Sequence, residues 1–226
     1  MKKELAKLQQ EITLCKKCPR LINYIGRIKN KYPDYWCKPV PSFGDPEAEI
    51  LIVGLAPGRF GSNRTGRMFT GDSSGNFMYK ILYEVGLCNK PDSVNLNDSL
   101  SLKNCYITAV ARCAPPQNKP MLSELENCFS YFVEELKLLK KVKSVVALGK
   151  IAFDGYLRWL IDAKSTKGKI KKKDFIFSHG AVYNSDKLPH VLIASYHPSR
   201  QNTQTGRLTE KMFKQVFNKA IKYSSV

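Results

Sequence analysis

Residues 49–86, EILIVGLAPGRFGSNRTGRMFTGDSSGNFMYKILYEVG, restrict the possible folds more than any other part of the chain. Residues 49–55 form a short apolar run that reads as a buried strand. From 74 to 85, Phe77, Met78, Ile81, Leu82 and Val85 fall on one helical face, and Gly86 stands where a helix C-cap would. Between strand and helix lies a long glycine-rich loop carrying Pro57, arginines and Asp72. A long polar loop leaving the C-terminal end of a buried strand is the usual place for a ligand in an α/β protein.

The rest of the chain repeats this alternation. Leu5, Leu8, Gln9 and Ile12 share a helical face over residues 3–14, and residues 28–48 show no period and read as a wrapped loop. Further strands are expected at 104–110, 143–148 and 190–195, with a helix over 150–162 and another over 208–223. Ser123 to Glu126 has the form of a capping box opening a helix to about residue 141. Residues 166–174 read as a basic loop, and 175–177 with 181–183 as a small hairpin. Four apolar strands separated by helices predict a four-stranded parallel sheet covered on both faces, in one domain spanning 1–226. There is no internal repeat and no low-complexity linker.

The net charge of +18 speaks to partners rather than to fold. Nucleic acid is the polyanion it suits best, and an anionic membrane surface is the rival. No apolar run reaches membrane-spanning length, and the first residues lack the continuous apolar core of a signal peptide. The expectation is a soluble, cytoplasmic protein, associated with the nucleoid and monomeric. Seven cysteines then need an explanation other than structural disulfides. Cys15 and Cys18 form a CxxC pair, and Cys113 and Cys128 follow far along the chain. Four such thiolates can meet at an iron–sulfur cluster or at zinc; a redox pair or plain buried cysteines are the other readings. Cys37, Cys88 and Cys105 read as ordinary buried or loop cysteines.

Three loops leave the C-terminal ends of the first, second and fourth strands, which share one edge in a parallel sheet. They bring 54–72, 115–119 and 197–207 together. Singly, Asp72 reads as a helix cap, Asn118 as an Asx turn and His197 as a histidine bonded to local backbone. Together, a carboxylate, an amide and an imidazole at one edge make a site. The first loop is not a phosphate-binding P-loop, because no lysine follows its glycines.

The runs GLAPG (54–58), GSNRTGR (61–67), FTGD (69–72), CAPPQNKP (113–120), HPSRQN (197–202) and TGRL (205–208), in this order and with the four cysteines, resemble the family 5 uracil-DNA glycosylases. The resemblance covers the chain from Cys15 to the last helix. It implies a three-layer α/β/α sandwich around the parallel sheet, and a structural [4Fe–4S] cluster on Cys15, Cys18, Cys113 and Cys128. That cluster would tie a segment of about residues 1–48 to the core. It implies removal of uracil, and often of hypoxanthine, from DNA in base excision repair.

The same resemblance assigns base contacts to Gly54, Leu55, Ala56, Gly58, Phe69 and Asn118. DNA contacts fall to Arg59, Arg64, Arg67, Ser199, Arg200, Asn202, Arg207 and Leu208. Better-known glycosylases carry a polar residue in the first run and an asparagine after the second strand; this chain has neither. Asp72 and Asn118 are therefore expected to supply those functions, with His197 stabilising the leaving base. Leu208 or the 201–206 loop is the expected wedge into the opened duplex. A sliding clamp is a conceivable partner with no readable signal. The rival functions are an iron–sulfur nucleic-acid-binding module without turnover and a small-molecule enzyme on the same fold.

Overall fold

The computed structural model describes residues 2–162 and 170–224. Its centre is the predicted parallel sheet: β2 (Ile50–Gly54), β3 (Cys105–Ala109), β4 (Ser144–Leu148) and β6 (Val191–Ser195). Two-residue strands, β1 (Phe43–Gly44) and β5 (Val182–Tyr183), extend it antiparallel at either edge, so the sheet is six-stranded and mixed, in the order β1-β3-β2-β4-β6-β5. The two additions are too short to show a period in sequence. They cover the outer hydrogen-bonding groups of β3 and β6, which would otherwise be open edges. Gly44 permits the close approach: a Cβ there would lie 2.5 Å from the Cys105 carbonyl.

The central strands are buried on both faces, and their side chains alternate between two cores. Ile50, Ile52, Ile107, Val146 and Ile193 meet α4 (Ser73–Glu84) and α8 (Glu210–Ser224). Leu51, Val53, Val145, Ala147 and Leu192 face the other way. They meet α1 (Lys2–Thr13), α5 (Leu122–Leu138) and α6 (Lys150–Asp162). This is the expected three-layer sandwich. No described helix is long and apolar enough to cross a membrane.

Several local expectations need correction. The stretch read as loop from residue 28 begins inside a helix, α2 (Pro19–Lys31). Pro19 sits in its first turn, where no amide proton is needed, and Leu21, Ile25 and Ile28 are its buried face. Helix α5 starts at Leu122, and it is Glu124 whose carboxylate accepts from the Met121 N–H at 2.7 Å. Ser123 lies inside the first turn rather than capping it. Arg20 makes a bidentate pair to the same Glu124, both contacts 2.7 Å, bolting α2 to α5. The 175–177/181–183 hairpin does not form: β5 pairs with β6 instead, while Phe175 and Phe177 pack against Tyr183 and Phe153. Residues 166–169 of the basic loop lie outside the described residues. Two short helices complete the set: α3 (Ser62–Thr65), in the loop after β2, and α7 (Arg200–Gln204), which precedes α8.

Candidate active site

Because β2, β3 and β6 are parallel, the loops leaving them open on one side, and there they enclose a cavity of about 230 Å³. Asp72, Asn118 and His197 all line it, as do Gly54, Leu55, Ala56, Gly58 and Phe69. Every catalytic and base-binding residue expected from sequence therefore meets at one place.

Asp72 is the N-cap of α4, as its bland reading predicts: Oδ1 accepts from the Gly75 N–H at 2.9 Å. The cap fixes one oxygen and leaves the other. Oδ2 lies over Gly58 and Gly61, and a Cβ on Gly61 would come within 1.9 Å of it. Glycine there keeps the second oxygen clear. Burial raises the Asp72 carboxyl above its usual range, outweighing the Gly75 and Ser74 N–H groups and Arg64, which lower it.

Phe69 forms a wall beside His197, the rings 5.8 Å apart and inclined at 29°. It does so with φ +53°, a left-handed conformation costly for an aromatic residue. Three features hold it. Its N–H donates to Ser62 Oγ at 2.9 Å, its ring fits where Gly54 lacks a Cβ, and its carbonyl lies where a Cβ on Gly75 would be. His197 stands two residues past the end of β6, after Tyr196, and its carbonyl accepts from Asn202 Nδ2 and the Ser199 N–H, each at 2.8 Å. Burial pulls the imidazole down to about 4, so it is neutral near pH 7.

Asn118 ends a single 3-10 turn, Pro116–Asn118, in which Gln117 and Asn118 both have positive φ. Asparagine tolerates that conformation better than most residues. Its side-chain amide makes no hydrogen bond to any described residue, so the expected Asx turn is absent and the amide is available to the cavity.

A larger open groove of about 1130 Å³ shares Gly58, Asp72, Ser74, Asn118 and Ser199 with the cavity. Arg59 and Arg200 line it, and Arg207 is exposed over the Tyr196 ring at 4.4 Å. Of the other residues expected at DNA, Arg67 and Leu208 are buried, while Arg64 and Asn202 are half-exposed and make hydrogen bonds within the chain. Arg64 spends its guanidinium on the loop's own carbonyls, Phe60 at 2.7 Å and Gly71 at 2.5 Å. Arg67 is buried against Asp98 at 2.6 Å and Ser93 at 2.8 Å. Burial pushes the Asp98 carboxyl up, but Arg67 and the N–H groups of Leu100, Val94 and Asn95 hold it far below its usual range. Asn202 is engaged with the His197 carbonyl, and Leu208 is buried in the core beneath α8. Sequence reasoning missed Ser62, Met68, Ser74 and Ala109 in the cavity wall, and Tyr24, Phe60 and Gln117 in the groove. Ser62 and Gln117 lay inside the family-like runs at 61–67 and 113–120; the others carried no local signal.

The four cysteines singled out from sequence are unpaired thiols. Cys18, Cys113 and Cys128 are buried, and Cys15 is half-buried. Burial raises the Cys113 thiol, and Cys128, Cys15 and Cys18 raise it further, which places the four within electrostatic reach of one another. Leu21, Ile25 and Ala114 surround Cys18 and Cys113, and Asn127 Nδ2 approaches Cys18 Sγ at 3.5 Å. Among the described residues, no group of three or more His, Cys, Asp or Glu side chains is arranged to hold a metal ion. The donor set itself, four soft sulfurs of which three are buried, suits an iron–sulfur cluster or zinc.

Residues 41–221 match the family model of the uracil DNA glycosylase superfamily. The chain is 49% identical to the type-5 uracil-DNA glycosylase of Thermus thermophilus, covering 93% of this chain and 94% of that protein. It is 41% identical to the type-5 uracil-DNA glycosylase of Pyrobaculum aerophilum, over 91% and 87% of the two chains. A type-4 uracil-DNA glycosylase of Archaeoglobus fulgidus is more distant, 29% identical over 84% and 79%.

Proposed function

The chain belongs to the uracil DNA glycosylase superfamily, in its type-5 branch, and from that membership we propose that it hydrolyses the N-glycosidic bond of uracil in DNA, leaving an abasic site for base excision repair. The observation that carries this reading is the meeting of Asp72, Asn118 and His197 around one base-sized cavity beside Phe69.

The target nucleotide leaves the duplex and its base enters the cavity. Phe69 offers a π-face, and the unengaged Asn118 amide hydrogen-bonds the Watson–Crick edge. As the bond from C1′ to N1 breaks, its electron pair moves onto the base and positive charge grows on the sugar. Neutral His197 donates a hydrogen bond to the developing oxyanion on the base, together with backbone N–H groups of the 54–58 loop. Asp72 Oδ2 orients the attacking water, takes its proton and stabilises the sugar cation. Water oxygen becomes the C1′ hydroxyl of the abasic sugar; the base departs as its anion and takes up a proton from solvent, while Asp72 returns to solvent the proton it took from water. Residues 54–56 meet the base only with apolar side chains and backbone, so the site makes few demands on the base's own donors and acceptors. Hypoxanthine is accordingly a second substrate.

The test is a duplex oligonucleotide with one uracil. The expected result is free uracil and an alkali-labile abasic site, with slower release from a hypoxanthine duplex. Tight binding with an intact strand identifies the binding module instead.

Cys15, Cys18, Cys113 and Cys128 would hold a [4Fe–4S] cluster. What the cluster supplies is a crosslink between the segment before α2 and the loop carrying Asn118. Protein purified anaerobically is expected to contain about four iron and four acid-labile sulfide per chain, both lost in Cys113→Ser. Zinc without sulfide would overturn the assignment.

A further inference from the structure

Flipping a nucleotide leaves a gap in the base stack, and duplex-opening proteins commonly fill such gaps with an apolar side chain. Leu208, the wedge expected from sequence, is buried in the core, and the 201–206 loop offers only polar side chains and glycine. The role therefore falls to some exposed apolar residue at the mouth of the cavity. Ten large hydrophobic side chains are exposed among the described residues. Of these, Phe60 alone lines the groove that opens onto the cavity.

Resting on the glycosylase reading of the site, we propose that Phe60 is the wedge, stacking into the duplex as the target nucleotide leaves it. The ring is half exposed, at 50%, and stands two residues from Gly58, which lines both the cavity and the groove. Its backbone is held rigidly: the Phe60 carbonyl accepts from Arg64 Nε at 2.7 Å, and the flanking Gly61 N–H donates to the Gly58 carbonyl at 3.3 Å. The ring is also backed. The Arg59 guanidinium lies 4.7 Å from its centroid, and Tyr32 meets it edge-on at 6.3 Å, itself stacked on Tyr35 at 4.7 Å. An aromatic braced in this way loses little conformational freedom on entering a stack. The same Arg59 brings positive charge to the strand beside the gap. The geometry also makes Arg64 a positioning residue for the wedge, since it ties Phe60 to the Gly71 carbonyl next to Asp72.

A wedge matters only where a stack must be opened. Phe60→Ala is expected to lower kcat/KM on a uracil duplex about tenfold relative to its value on a single-stranded uracil oligonucleotide. Phe60→Leu should restore most of that ratio. A pyrene nucleotide placed opposite uracil fills the gap in place of the side chain, and should rescue Phe60→Ala on duplex DNA. Equal losses on single-stranded and duplex substrate, no rescue by pyrene, or no loss at all would each overturn the assignment. Wild-type excision on the single strand is read in the same experiment. Absence of wild-type excision from both the duplex and the single strand would overturn the glycosylase reading, whereas excision with an unmoved ratio would overturn only the wedge.

Discussion

Replacing Asp72 by alanine is expected to lower kcat/KM for uracil release by about 10²–10³-fold, the usual cost of removing a group that handles water or charge at the reacting centre. Two roles meet in this side chain, and two variants separate them. As the α4 cap, Asp72 Oδ1 takes the Gly75 N–H. The amide oxygen of Asp72→Asn can do the same, so that variant should melt close to the wild type. Asp72→Ala should lose about 1 kcal/mol of stability as well. Activity should divide differently, because Asn cannot accept the water's proton or balance a sugar cation: both variants should be slow. The pH profile adds a sign. Activity needs the ionised carboxylate, and burial raises the Asp72 carboxyl. The acid limb of kcat/KM should therefore lie above the ordinary carboxylate range, with the rate falling as pH drops through it, and should vanish in Asp72→Asn. His197, held at about 4, should contribute no limb near the ordinary histidine value. Wild-type rates in Asp72→Asn would reduce Asp72 to a cap that orients water.

The meeting of Asp72, Asn118 and His197 was legible before any coordinates because parallel strands put their C-terminal ends on one edge. The four central strands were legible too, since apolar runs bounded by glycine and polar residues leave few alternatives. What failed shares one physical cause: local sequence does not record a distant partner. Arg67 and Arg59 look alike in a glycine-rich loop, but Arg67 finds Asp98 thirty-one residues on and disappears into the interior. Leu208 looks like a wedge at the end of a polar loop, yet α8 folds it under. Helix α2 is the instructive exception. Its Leu21, Ile25 and Ile28 stand at helical spacing, so the signal was present, masked by the lysines and asparagines of its exposed face. The edge strand β1 is set by the backbone of β3 and leaves no periodic trace of its own, whereas β5 falls within the expected 181–183 arm but takes β6 as its partner, a pairing that local sequence does not record.

The largest stability effect expected in this protein comes from Glu135, on α5. Its carboxylate and the Arg112 guanidinium form a charge pair buried on both sides. Around them Gln9 donates to Glu135 at 2.7 Å, Thr108 Oγ1 and Ser42 Oγ donate at 2.5 Å, and Arg112 also donates to Thr108 at 2.7 Å. The network thus joins α1, the segment before β1, β3 and α5 at one point. Glu135→Ala strands the guanidinium and several donors away from water, and should destabilise the fold by about 3–5 kcal/mol, read as a lower urea midpoint at unchanged slope. Removing both charges together, as Arg112→Met with Glu135→Leu, should recover most of the loss, because no unpaired charge then stays behind. The position of the pair carries the effect to the active site. Arg112 immediately precedes Cys113, and its carbonyl accepts from the Val40 N–H at 2.7 Å. Glu135 lies seven residues beyond Cys128 on the same helix. Loosening the pair should therefore speed amide exchange in residues 40–42 and 112–118, the stretch that presents Asn118 to the cavity, before the rest of the sheet opens. Exchange that rises uniformly across the sheet instead would mean that the network supports the core as a whole, with no special hold on that loop.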